Sequence, residues 1–131
     1  MSNIITTNDI LKFQDEIFAN CRKAVAAKGN DYSGANKNQD TFANIRIASD
    51  IGLVKNPAHS CLVRMMDKVM RLKNLTDPDI TQQVKDESIQ DTLEDLINYA
   101  TYVVMLDRER KGMPEVPFSN ESNDGLSLNL S

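Results

Sequence analysis

The sequence predicts an all-α fold, a bundle of about four helices. Three observations predict it. Apolar residues recur three and four positions apart over long stretches, which is the spacing of one helix face. Five Gly and four Pro in 131 residues are too few for a chain of many short strands and turns. Most of those that occur fall between the periodic stretches, where helices start and stop. The length suits a single domain with one core, placed at residues 1–112, followed by a tail over 113–131.

The first helix is expected from about Asn8 to Lys28. Thr7 or Asn8 can cap it, Asp9 suits its positive end, and Gly29 can take the left-handed conformation that closes it. Leu11, Phe13, Ile17, Phe18, Ala24 and Val25 are its apolar stripe. A polar loop, GNDYSGANKN, is expected over Gly29 to Asn38. A short helix follows, about Asp40 to Ile51, carrying Phe42, Ile45, Ala48 and Ile51 and ending at Gly52.

Asn56-Pro57 is a helix start, with Asn as cap and Pro at the first helical position. The third helix then runs to about Leu75, with Leu62, Met65, Met66, Val69, Leu72 and Leu75 on its apolar face. Asp77-Pro78-Asp79 breaks the chain. The fourth helix starts between Val84 and Asp86 and reaches about Arg110, with Ile89, Leu93, Leu96, Ile97, Ala100, Val103 and Val104 as its stripe. Basic residues favour its C-terminus, and Gly112 and Pro114 stop it. Residues 113–131 have no Lys or Arg and no period, and are expected to be a flexible tail. The thin core of so small a bundle and its Met-rich helix faces predict a homo-oligomer, dimer or tetramer.

Charge and composition narrow the function. A net charge of −4 argues against nucleic acid as the partner, because neutralising phosphates needs clustered Lys and Arg. No run approaches the roughly 20 apolar residues that span a bilayer, so no membrane partner is expected. The N-terminus lacks the basic and apolar regions of a signal peptide. Cys21 and Cys61 stand apart, with no CxxC, and read as buried thiols in a reducing cytoplasm. With a single His, a zinc site is not supported.

The sharpest chemical signal is DESIQDTLEDLINYA, residues 86–100. At about 100° per residue, Glu87, Asp91, Glu94, Asp95 and Asn98 lie opposite the apolar stripe. Glu87, Asp91 and Asp95 are neighbours one turn apart. Like charges at that spacing cost roughly 0.2–0.5 kcal/mol per pair. A hard cation such as Mg2+ would repay that cost, because it takes carboxylate oxygens and keeps several waters. A solvated acidic face is the competing reading. On the third helix Arg64, Asp67, Lys68 and Arg71 share a side. They could join metal and phosphate oxygens to the acidic helix, or Asp67 and Arg71 could form a surface salt bridge of little value. In KGNDYSG, Lys28 could reach a phosphate and Tyr32 could stack on a base; the competing reading is an ordinary Asn/Gly turn. His59 reads as a surface or capping group.

KGNDYSG (28–34), RMMDKVMRLKNL (64–75) and DESIQDTLEDLINYA (86–100) together resemble the nucleotide modification associated domain 1 family, small proteins common in bacteriophages. That family looks like a branch of the MazG-like, all-α nucleoside triphosphate pyrophosphatase superfamily. The resemblance covers about residues 10–108, and its most specific part is the Glu-x3-Asp-x3-Asp spacing followed by Asn-Tyr. It implies a cytoplasmic helical oligomer that binds Mg2+, with Mn2+ as a substitute, and hydrolyses a (deoxy)nucleoside triphosphate to monophosphate and pyrophosphate. Glu87, Asp91 and Asp95 match the acidic helix, Asp67 an acidic position on the helix before it, and Lys28, Asp31 and Tyr32 the loop motif. Glu87, Asp91, Asp95 and Asp67 would hold metal, with Glu87, Asp91 and Asp67 also in the catalytic role. Lys28, Asp31, Tyr32, Arg64, Lys68, Arg71 and Asn98 would meet the nucleotide. Better-known members place two acids on each of two helices; here the third helix offers Asp67 alone, and Thr92 falls where an acid would be. That shortage favours a second reading, a protein that binds a nucleotide or cyclic nucleotide without cleaving it. A purely structural oligomer is a third.

Overall fold

The computed structural model describes residues 4–33, 40–79 and 87–113, with the side chains of 29–33, 87 and 88 outside that description. Four helices are formed: α1 (Thr7–Ser33), α2 (Ala43–Asp50), α3 (Pro57–Leu75) and α4 (Glu87–Arg110). Among the described residues there is no strand. The expected tail after Met113 and the expected helix start at 84–86 fall outside the described residues.

The chain's local chemistry sets the helix ends. Thr6, one residue before the expected cap, closes the start of α1. Its Oγ1 accepts from Asp9 N–H at 3.1 Å, and its own N–H donates to Asp9 Oδ2 at 3.0 Å. This reciprocal pair satisfies two backbone donors, as in a capping box. The far end of α1 corrects the sequence reading. Gly29 does not close the helix; its backbone is helical, and α1 continues through Asn30, Asp31 and Tyr32 to Ser33. A helical Gly costs only about 1 kcal/mol relative to Ala, so it weakens a helix without ending it.

At α3 the sequence signals hold. Asn56 has extended backbone, and its side chain accepts from His59 N–H at 3.2 Å, with Pro57 at the first position. Gly52 and Gly112 follow α2 and α4 with φ of 84° and 68°, a region favourable to glycine.

α4 is the central element. It packs against both α3 and α1, while α2 packs on α3. The main core joins Ile45, Ala58, Cys61 and Leu106, with Phe42, Tyr99, Tyr102 and Val103 against it. Phe42 meets Tyr102 edge-on at 5.2 Å, and Tyr102 meets Tyr99 at 5.8 Å, the preferred geometry for aromatic pairs.

The expected apolar stripes are only partly buried. On α1, Ile17 and Cys21 are buried while Leu11, Phe13, Phe18 and Val25 are exposed. On α2, Ile45 is buried and Ile51 is exposed. On α3, Leu62, Met66 and Val69 are exposed. On α4, Ala100 and Val104 are exposed, whereas Thr92, Glu94 and Asn98 are buried. The reason is geometric. A helix flanked on two sides buries whatever lies along both seams, and one seam of α4 is polar.

Candidate functional site

That polar seam joins α1 to α4. Glu94 lies in it with a carboxylate that accepts from Asn20 Nδ2 at 3.0 Å and from Gln90 Nε2 at 2.9 Å. One turn on, Asn98 Nδ2 donates to the Cys21 carbonyl at 3.2 Å. Cys21 Sγ lies 3.7 Å from the Glu94 carbonyl. Buried polar groups need such partners, and here each partner comes from the facing helix or the adjacent turn.

Asp95 follows Glu94 and sits where three helices meet. Its Oδ1 pairs with Lys28 Nζ of α1 at 3.5 Å, and its Oδ2 with Lys68 Nζ of α3 at 3.3 Å. The carboxylate is 31% exposed, so both ion pairs open to solvent. One turn along the same α3–α4 seam, Arg64 Nη1 lies 3.4 Å from the Tyr99 hydroxyl, with its guanidinium carbon 5.9 Å from the ring centre. Three cations, one carboxylate and one aromatic ring therefore follow one another at this face.

The sequence-based site is brought together in part. Lys28, Lys68 and Asp95 converge. Arg64 lies one turn from Lys68 on α3. Asn98 is turned into the α1–α4 seam. Asp91, Asp67 and Arg71 are exposed. Asp67 and Arg71 do not form the surface ion pair considered for them; Asp95 takes the nearby Lys68 instead. The side chains of Asp31, Tyr32 and Glu87 lie outside the described residues. Asn20, Gln90 and Tyr99 were missed. Gln90 and Glu94 are spaced four apart on one helix, a signal that was available. Asn20 and Tyr99 act through contacts between helices, which no spacing reveals.

Among the described residues no group of three or more His, Cys, Asp or Glu side chains is placed to hold a metal ion. The donor set therefore does not fit a cage made wholly of protein ligands. Mg2+ asks for less. It is commonly held by one or two carboxylates together with substrate phosphates and water. Asp91 and Asp95, one turn apart on α4, fit that smaller requirement in number and kind.

Residues 57–106 match a family model described as nucleotide modification associated domain 1. The match runs from the start of α3 through most of α4 and takes in Arg64, Lys68 and Asp95; it covers less than half of the chain and excludes Lys28. No curated protein and no solved structure matches the chain. No helix among the described residues is long and apolar enough to cross a membrane.

Proposed function

We propose that this chain is a Mg2+-dependent nucleotide pyrophosphohydrolase, converting a nucleoside or deoxynucleoside triphosphate to monophosphate and pyrophosphate. The observation that carries the reading is the convergence of Lys28, Lys68 and Asp95 from three helices beside the exposed Asp91. The match of residues 57–106 to a nucleotide-associated family supports it. Lys28 and Lys68 exchange the Asp95 carboxylate for phosphate oxygens, and Arg71 offers a further positive charge from α3. Asp91 and Asp95 are then available to the ion that arrives with the triphosphate, with Glu87 and Asp67 as further ligands. Bound there, Mg2+ would neutralise charge on the phosphates and lower the pKa of a coordinated water. One of the α4 carboxylates orients the attacking water, and Lys68 stabilises charge as it develops. Tyr32 contacts base or sugar, whereas Asn98, expected from the sequence to share that role, is spent on the Cys21 carbonyl inside the α1–α4 seam. The active form is a homo-oligomer.

A second reading, binding without cleavage, is favoured by one observation. Asp95 is already neutralised by two ammonium groups. Phosphate could replace it with no metal at all.

A panel of common NTPs and dNTPs, incubated with Mg2+ and resolved by chromatography, tests both. Monophosphate and pyrophosphate from some substrates are expected. Asp91→Asn is expected to abolish turnover with the helical signal in circular dichroism unchanged. A folded Asp91→Asn protein that still turns over would overturn the assigned site. Intact nucleotides throughout, with a raised melting temperature, would select the binding reading.

A further inference from the structure

At the other end of the α3–α4 pair, the first turn of α3 and the last turns of α4 frame an open cavity of about 420 Å3. That volume lies within the range of about 300–1,000 Å3 common for small-ligand sites. Its lining combines two chemistries. Leu62, Val103 and Val104 are apolar, with Leu62 at 43% and Val104 at 51% exposure. His59, Arg108, Arg110 and Lys111 are basic. Asp107 occupies two of these cations, holding Arg110 at 3.0 Å and Lys111 at 2.8 Å. The Lys111 and Arg110 hydrogen bonds hold its carboxyl below the usual carboxylate range. Arg108 has no ion-pair partner among the described residues. The N-terminus of α3, which carries the positive end of the helix dipole, opens on the same space through Ala58 and His59.

Three cations against one carboxylate make this a basic spot on a chain of net charge −4. The excess charge asks for an anion, and the aliphatic lining asks for an apolar body attached to it.

We propose that this cavity is a ligand site separate from the Lys28–Asp95–Lys68 cluster, taking a small organic anion. Its phosphate or carboxylate head meets Arg108 and the first turn of α3, and its apolar body lies on Leu62, Val103 and Val104. Arg108 is thirteen residues beyond Asp95 on α4, about 20 Å along the helix. Occupancy here does not depend on the proposed hydrolase site.

The test is an amide NMR titration of the full chain with phenyl phosphate, alongside inorganic phosphate and benzoate. Phenyl phosphate is expected to shift amides of residues 56–62 and 103–113, and to bind about tenfold more tightly than inorganic phosphate, which lacks the apolar body. Benzoate reaching the same amides identifies a carboxylate head as sufficient. Arg108→Glu is expected to weaken phenyl phosphate by about tenfold or more, and Val104→Asp to weaken it as well. Lys68→Ala is expected to leave these shifts in place. No shifts at this end, equal affinity for inorganic phosphate, or an unaffected Arg108→Glu protein would overturn the proposal. So would movement of the resonances of residues 114–131 on Arg108→Glu without any probe. That result would assign the cavity to the acidic segment that follows Met113.

Discussion

Glu94 shows how much one side chain can carry in this molecule. Its carboxylate is the shared acceptor for an amide of α1 and an amide of its own helix. Glu94→Ala leaves the half-buried amides of Asn20 and Gln90 without that acceptor, at a cost of about 1 kcal/mol. Glu94→Gln keeps one acceptor and is expected to cost less. Urea unfolding measures both; an Ala variant with an unshifted midpoint would show that water replaces the carboxylate without loss. The two thiols act differently. Cys61 is 0% exposed and Cys21 4%. Burial pushes both thiols up from their ordinary range, and the charges of Glu94 and Asp95 add to this at Cys21. A raised folded-state pKa means that the folded form holds its proton longer than the unfolded form. The associated stability is complete below the unfolded thiol's pKa of about 8.5 and is lost as pH rises toward the folded value. Native protein at neutral pH is therefore expected to resist thiol reagents, with labelling tracking unfolding. Melting temperature should fall more steeply above pH 8.5 than in a Cys21→Ala, Cys61→Ala protein.

Among the elements, α2 is the shortest and has one buried residue, Ile45. A polar clamp supplements that anchor. Arg46 donates to both Glu109 oxygens, at 2.7 and 3.1 Å, and also bonds Asp40 ahead of the helix. Its ring neighbour is Phe42, 6.0 Å from the guanidinium carbon. The fork ties α2 to the last turn of α4. Arg46→Ala is expected to cost up to about 1 kcal/mol, as for partly exposed ion pairs, and to speed amide exchange in α2 before the other helices. Arg46→Lys should recover only part of this, because an ammonium cannot match both carboxylate oxygens. Exchange rates in α2 equal to those of the parent protein would remove the clamp from the account. α1 is held differently. Its Ile17 and Cys21 are buried and its polar seam meets α4, so α1 depends on α4 for much of its order.

For the whole molecule, the notable quantity is what the single chain leaves uncovered. Phe13 is 53% exposed and Met66 61%, and each lies on a helix with further exposed aliphatic residues. Exposed apolar residues that join into one patch mark association sites in soluble proteins. The proposed homo-oligomer would cover it. Sedimentation is expected to give a species of at least two chains, and Phe13→Glu with Phe18→Glu to shift it toward one chain while helical content persists. A parent protein that sediments as a single chain at all concentrations would end this proposal.

The number, order and most of the ends of the helices were legible in the chain, the end of α1 excepted. The period of apolar residues, the Asn56-Pro57 start, and Gly52 and Gly112 at the stops act within a turn or two, and local chemistry of that range is written directly in the chain. It also marked the acidic line on α4 and the basic side of α3 as chemically unusual. The tertiary structure decided which sides of those helices are covered. Periodicity gives a face its direction but not its neighbour, so Leu62, Met66 and Val104 read as core and are exposed, while Glu94 and Asn98 read as an outward acidic side and are buried against α1. It also decided that Asp95 meets Lys28 and Lys68 together. Those partners are 67 and 27 residues away along the chain, and only the packing of both α1 and α3 on α4 brings three such distant charges to one point.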